Sequence, residues 1–531
     1  MKHMTSMKHM LLSLCLLFGL SSAARAQSDE EQIRRTLWTF IDGTVYNYPD
    51  SIAGAFYPNT RMFLFHESDT VWTMTGEEYA ALYTRRPPGT RNARYGSIVS
   101  LDIVGEAAYA KVKIRIPGFG RDYYDLLLLK KFAEGWKITG KVTWAEPIPK
   151  MPQEQMAQPT KEVVMEGLKR PWSMAFLSET EALVAEKDGD LLRVNLSTGE
   201  RKAIAGLPED VGRPILIDTT QHAQGVFPGP AHGQRHAFNA GWFQVLLDPK
   251  FEVNHLIYLS YAAVNEEQAH ATKVIRGVLA GDKLTQVETI FLAAPYSHGL
   301  FHFGGGMVFG PEGKLYLATG ERNFFEYLNP EIPTAQDVRD PRGKIIRINA
   351  DGSIPEDNPD FGPEAVPGLY ALGIRATQGM VVDPTTGRIW FSEHGTMQGD
   401  ELNLLHAGAN YGWPNRTSGG YRTSDYQPKD LPGAVYTDPA HFWEVTVAPT
   451  GLAFYKGNEF AQWDGDLLVP GLSKGNLWRM KTDGDQVTGA EELFINDRIR
   501  LRKVVTSPLG KIYLLTDEEN GRIIRLVNAN Q

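Results

Sequence analysis

Arg500 and Arg502 stand two residues apart in RLRKVV, a stretch whose composition predicts a strand. Side chains two apart on a strand leave on the same face, so both guanidiniums would reach one site. Each presents a planar fork of donors that can bond a carboxylate bidentately. The same spacing would also serve a solvated edge strand in the basic run RIRLRK. Asp400 and Glu401, in EHGTMQGDELN, are acidic enough to favour a nearby cation, or they belong to a solvated loop. His222, His232 and His236 share the connection between Leu207 and Phe238, at a spacing that matches no metal-ligand pattern.

Composition limits the chemistry further. The chain has 531 residues, with 54 Lys and Arg against 63 Asp and Glu, a net charge of −9. That balance argues against a nucleic-acid binder driven by phosphate contacts. One hydrophobic core stops growing at roughly 250–300 residues, so at least two domains are expected unless one is a large closed β architecture. Lys2 and Lys8, the apolar run Met10–Leu20 and Ala24-Arg25-Ala26 read as a signal peptide over residues 1–26, cut before Gln27. The single cysteine, Cys15, lies in that run, so the exported chain has no disulfide and no thiolate metal site. No other segment approaches a membrane span. An exported, periplasmic protein is expected.

The elements fall into two groups joined by a linker. Ser28 to Glu31 reads as a capping box, and Ile33, Leu37, Phe40 and Ile41 follow at helical spacing. Strands are expected over 95–104, 107–116, 123–131 and 136–144, so residues 27–145 form an α+β domain with helices on one face of a curved sheet. This stretch resembles the nuclear transport factor 2-like (lumazine-binding-like) family, a cone whose interior can be an active site, a ligand pocket or an assembly surface. DYYDLLLLKKFAEGWKITGKV carries most of that resemblance. His66 and Asp125 are its candidate functional residues, or ordinary rim residues. Residues 146–159 carry four prolines and no aromatic residue, the composition of an extended linker. From residue 160 to 531 a strand–turn–strand unit recurs six times, as PWSMAFLSETEALVAEKDGDLLRV, MVFGPEGKLYLATGER and MVVDPTTGRIWFSEHG among others. Such units cannot bury both faces alone and stack radially, so an all-β six-bladed β-propeller is expected.

Residues 163–528 resemble the PQQ-dependent aldose (soluble glucose, or glucose/sorbosone) dehydrogenases. The resemblance rests on PWSMAFL, HFGGGMVFGPEGKLYLATGER, GKIIRINADGSIPEDNP, LGIRATQG, EHGTMQGDELN, NYGWP and RLRKVVTSPLGKIYLLTD, in the family's order. It implies oxidation of an aldose or related alcohol at the anomeric carbon to a lactone, with PQQ and Ca2+ as cofactors. Electrons would pass to an external acceptor, a cytochrome or a quinone. PQQ carries three carboxylates, and Arg375, Arg500 and Arg502 match the family's cofactor arginines. His302 matches its catalytic base, with Glu321 as the acidic partner. His394 is the next histidine of interest. Gly395 and Thr396 match the family's calcium-binding carbonyls. Trp443 is a stacking or pocket-wall candidate, or a core residue; NYGWP, with Tyr411 and Trp413, reads as a turn.

Several positions depart from the family's pattern. Asn239 replaces its cofactor glutamine, Ala376 an asparagine, Gly306 an arginine, and Ser473 a lysine, with Lys474 one place along. Gln234, in the 207–238 connection, could restore a glutamine. Each lost charge-assisted hydrogen bond is worth about 1.5–3 kcal/mol. Two rival readings follow: a calcium-dependent lactonase-type hydrolase, which needs converging carboxylates, and a carbohydrate- or partner-binding propeller that has lost its cofactor.

Overall fold

The computed structural model describes residues 29–531 except 68–69, 90–91, 93, 117–118, 120, 148–156, 214–215, 219–233, 237–238, 300, 323–331, 397–398, 420, 422–430, 432, 444, 474, 495–496 and 531. The signal-peptide segment, Ser28 of the expected capping box, His222, His232 and Lys474 lie outside the described residues. Of His236 and Gln234 only the backbone is described, in a two-stranded ribbon of 216–218 and 234–236.

Helix Asp29–Tyr46 buries Ile33, Leu37, Phe40 and Ile41, the apolar face expected from their spacing. A complete capping box occurs later, at helix Gly76–Ala81. There Thr75 Oγ1 accepts the Glu78 amide (3.1 Å) and Glu78 Oε2 accepts the Thr75 amide (2.8 Å). The helices cover a six-stranded sheet in the order 72–75, 61–64, 135–147, 121–132, 107–116, 95–104. The last four are the expected antiparallel meander. The two short strands were not visible as strands in the sequence, and 61–64 pairs parallel to 135–147. Asp125 faces the covered side, where Lys141 donates to it at 2.7 Å and Thr143 at 2.6 Å, both charges almost completely buried. His66 is half-buried, within 3.2 Å of Thr70 Oγ1 and beside the Trp72 ring.

The last strand of this sheet runs to Pro147, and Pro159 already begins the next strand. Beyond it come six four-stranded antiparallel sheets among the described residues. Their first strands are 171–176, 242–247, 304–309, 377–382, 453–454 and 501–506. Sheet six takes its fourth strand, 159–168, from the N-terminal side of sheet one, so the two ends of the repeat region are tied by backbone hydrogen bonds. First strands pack each on the next, and the sixth on the first, closing a ring. Hydroxyls link the sheets. Ser173 Oγ donates to the Phe243 carbonyl (2.7 Å), Ser260 to Gly305 (2.7 Å), Ser392 to Thr450 (2.9 Å) and Thr450 to Leu501 (3.3 Å).

The helical face of the first domain packs on sheets four and five. Trp38 meets His441 edge-on at 4.8 Å, and Tyr46 Oη donates to Glu492 at 3.4 Å. Trp443, on the fourth strand of sheet four, is 3% exposed within this joint core, beside Trp478 and His441. Of the two readings of Trp443 the core position is the observed one, and stacking in the site is corrected: it sits on the strand farthest from the ring's centre, with its indole packed beside Trp478 between sheets four and five.

Candidate active site

In each sheet the first two strands form a hairpin, so residues just before the first strand and just after the second come to the same end of the ring. His302 and Glu321 hold these places in sheet three, Arg375 and His394 in sheet four, Arg500 and Asp517 in sheet six. Asn239 precedes the first strand of sheet two, and Lys187 follows the second strand of sheet one.

His302 is fixed on both sides. Its backbone is left-handed (φ 54°), and a Cβ on Gly320 opposite would lie 1.7 Å from the His302 carbonyl oxygen, so only glycine fits there. Nδ1 is bonded to the Glu321 carboxylate, and Arg375 Nη2 lies 3.1 Å from Nε2. An acceptor at Nδ1 and a cationic donor at Nε2 select the neutral tautomer with its proton on Nδ1. Arg375 also donates to the His394 carbonyl (3.2 Å), and its guanidinium lies 5.2 Å from the centre of the Trp413 ring. The Arg375 amide donates to Glu393 Oε1 at 2.5 Å. Burial, then the charge of Glu401, pushes the Glu393 carboxyl well above its usual range. His394 donates to the Pro449 carbonyl (2.9 Å), and burial pulls it down to about 4, so its ring is neutral.

Arg500 and Arg502 do converge, on a carboxylate of this chain. Arg500 Nη2 lies 2.7 Å from Asp517 Oδ2, and Arg502 Nη2 lies 2.9 Å from Oδ1. Burial opposes ionisation of Asp517, yet Arg502, Lys187 and Arg500 hold it well below the usual carboxylate range. Arg502 also bonds Gln378, and its Nε is buried with no hydrogen-bond partner among the described residues. Lys187 donates to Asn239 Oδ1 at 3.3 Å, and burial pulls its ammonium down to about 8. Arg500 Nη1 reaches the Leu472 carbonyl, next to the position of the absent lysine.

Asp400 is not an open cation ligand. Its Oδ1 accepts the Gly395 amide (2.8 Å), and Oδ2 accepts those of Val447 and Ala448 (both 2.7 Å). Glu401 is half-buried, raised by desolvation, and bonded to Ser418 and Asn403. Among the described residues no group of three His, Cys, Asp or Glu could hold a metal. A cation beside Thr396 would need backbone carbonyls.

The family model for glucose/sorbosone dehydrogenases matches residues 168–525. The chain belongs to the glucose/sorbosone dehydrogenase family. A second model, described as "Putative lumazine-binding", matches residues 28–144. Aldose sugar dehydrogenase YliI of Escherichia coli (strain K12) is 32% identical, over 70% of this chain and 93% of that protein. Quinoprotein glucose dehydrogenase B of Acinetobacter calcoaceticus is 29% identical, over 67% and 85% respectively. The PQQ-bound structure of the aldose sugar dehydrogenase of Streptomyces coelicolor aligns with 25% identity and a TM-score of 0.53, over 70% of this chain and 98% of that one. The ring of sheets is thus a β-propeller of the glucose/sorbosone dehydrogenase type.

For a member of this family the donor set suits a polycarboxylate. Arg375, Arg500, Arg502 and Lys187 gather around the Glu321 and Asp517 carboxylates, and Arg502 Nε has no hydrogen-bond partner among the described residues. Lys187, Glu393, Gln378 and Asp517 were missed in the sequence, and Trp413 was read only as part of a turn. Lys187 and Asp517 had a signal: like His394, each directly follows the second strand of its repeat. Two departures from the family pattern have packing reasons. A Cβ on Gly306 would approach the Gln378 backbone to 3.1 Å, so a larger residue must push the neighbouring strand away. Ala376 is buried at the root of sheet four's first strand.

Proposed function

We propose that this protein oxidises an aldose, or a related alcohol, at its anomeric carbon to a lactone, with PQQ as the bound oxidant and Ca2+ beside it. The observation that carries the reading is His302, held between Glu321 and Arg375 at the end of the ring where Arg500 and Arg502 meet. The six sheets are read as the six blades of a closed propeller, supported by the ring of first strands and the strand that ties sheet six to sheet one. Residues 27–145 and 160–531 are its two domains.

Glu321 accepts the hydrogen bond of the His302 Nδ1–H, which leaves the Nε2 lone pair to take up a proton. Nε2 accepts the proton of the anomeric hydroxyl, and Glu321 stabilises the imidazolium that results. Arg375 shifts its Nη2 from Nε2 to an anionic oxygen when substrate and cofactor enter. When bound, PQQ would supply an ortho-quinone as the acceptor for the hydride from the anomeric C–H. Arg375, Arg500, Arg502 and Lys187 hold its carboxylates, with Asn239 orienting Lys187; Lys474 is a further candidate. The Gly395 and Thr396 carbonyls hold the Ca2+, because the Asp400 carboxylate is filled by three amides. The external electron acceptor would be a cytochrome or a quinone. Export through residues 1–26 places the reaction in the periplasm, and no helix among the described residues is long and apolar enough to cross a membrane.

The hydrolase alternative is disfavoured by where the carboxylates lie: Glu321 is committed to His302 and Asp517 to two arginines. Reconstitution tests the proposal. The purified protein with PQQ and Ca2+ is expected to give a bound-cofactor absorbance spectrum and dye-linked oxidation of an aldose, both lost with a chelator. A spectrum equal to that of free PQQ, with no oxidation of any aldose, sinks it.

A further inference from the structure

A second cleft opens away from the mouth of the ring, where helix Asp29–Tyr46 lies over sheet four. It encloses about 310 Å3, in the size range of sites for small ligands. Trp38 and Arg35 come from the helix, and Glu401, Arg416, Asp438 and His441 from the propeller. Acidic and basic groups are close to balanced on its walls, and Arg416 is already paired with Asp438. A charged ligand would therefore meet as much repulsion as attraction. Planar carboxylates and guanidiniums beside an indole match the alternating hydroxyls and C–H faces of a sugar ring, which needs donors, acceptors and an apolar platform together.

We propose that this cleft is a second carbohydrate site, formed only because the two domains are joined, in which Trp38 supplies the platform and Glu401 an acceptor for hydroxyls. Glu401 stands directly opposite Glu393 in the strand register, and Glu393 accepts the Arg375 amide. Glu393 Oε2 has no hydrogen-bond partner among the described residues, whereas Glu401 accepts the Ser418 amide and the Asn403 side chain at 3.3 Å each. Sugar in the cleft is thus two side chains from the arginine that touches His302.

Calorimetric titration of the full-length protein without PQQ or Ca2+ tests this with D-glucose, maltose and D-galacturonate. A neutral sugar should bind saturably, about tenfold more weakly after Trp38→Ala or Glu401→Gln, and equally well after His302→Ala. Trp38→Ala removes a contact between domains, so the near-isosteric Glu401→Gln carries the result if the first variant unfolds. No saturable binding of either neutral sugar overturns the proposal. So does binding that survives Glu401→Gln, binding that is lost with His302→Ala, or a preference for galacturonate. The titration needs no cofactor, so failure of the redox reading would leave it standing, and the reverse.

Discussion

The interior of the first domain and the mouth of the propeller both bury charge, and they settle it differently. In the first domain, Lys141 and Asp125 are each 2% exposed, bonded at 2.7 Å, and Thr143 fills the other carboxylate oxygen. Aromatic rings of Phe40 and Tyr79 flank the ammonium at 4.6 and 4.8 Å. At the mouth, Arg500 and Arg502 share Asp517, the Arg502 Nε has no hydrogen-bond partner among the described residues, and burial pulls the Lys187 ammonium down to about 8. Removing a charge from water costs several kcal/mol per ion unless it is paired and fully hydrogen-bonded. The Lys141–Asp125 pair meets that condition internally, although Arg94 Nε in the same domain is buried without a partner among the described residues. Arg502 and Lys187 at the mouth do not meet it, and a polycarboxylate would let them. A closed pair reads as architecture, and a surplus of one sign around a fixed imidazole reads as a site.

The comparison breaks first at His302. His302→Ala should lower dye-linked turnover by about 10²–10⁴-fold, the range for loss of a general base, while PQQ binding changes little. Turnover within twofold of wild type would move the base elsewhere. Next is the cone. Asp125→Ala leaves Lys141 as an unpaired buried charge and should cost roughly 3–5 kcal/mol by chemical denaturation. The double change Asp125→Leu with Lys141→Met should recover most of that loss, with turnover per folded molecule unaltered. If the single variant instead leaves stability intact and abolishes turnover, the cone is part of the active site. Smaller again is Arg502→Ala, which should weaken PQQ by about ten- to a hundredfold in equilibrium binding. An unchanged dissociation constant would mean that Asp517 is the permanent partner of Arg502.

The propeller was legible because its repeat is local: each hairpin carries its own turn, apolar pair and terminal polar residue within about twenty positions. His302, Arg375, Arg500 and Arg502 were named through the family resemblance, and they sit beside those hairpins. What failed was everything fixed by distant packing. Trp443 looks in sequence like any aromatic next to a strand, and only the docking of helix Asp29–Tyr46 shows that its strand lies on the outside. Trp413 belongs to a turn, as NYGWP suggests, yet that turn folds back under Arg375. The Arg502–Gln378 and Lys187–Asn239 bonds join residues from different sheets, and no periodicity reports which sheet is opposite which. The short strand 61–64 is too brief for an alternation pattern, and its parallel partner lies in the last strand of the meander.

The smallest effect separates the two regions by pH alone. Burial lowers Lys187 and Lys503 to about 8, while in the unfolded chain both stay charged until about 10.5. Between those values the unfolded state holds more protons, so this pair of groups makes stability rise with pH across that window. Cofactor binding must run the other way. Below pH 8 Lys187 is charged and attracts a carboxylate; above it Lys187 is neutral in the empty protein, so binding must restore its proton. PQQ affinity is therefore expected to fall by up to about tenfold as pH rises from 7 to 9, with proton uptake visible as a buffer-dependent binding enthalpy. Lys187→Met should flatten this pH dependence. Affinity that is level across the range in the unmodified protein would remove Lys187 from the cradle and leave the arginines alone with the cofactor.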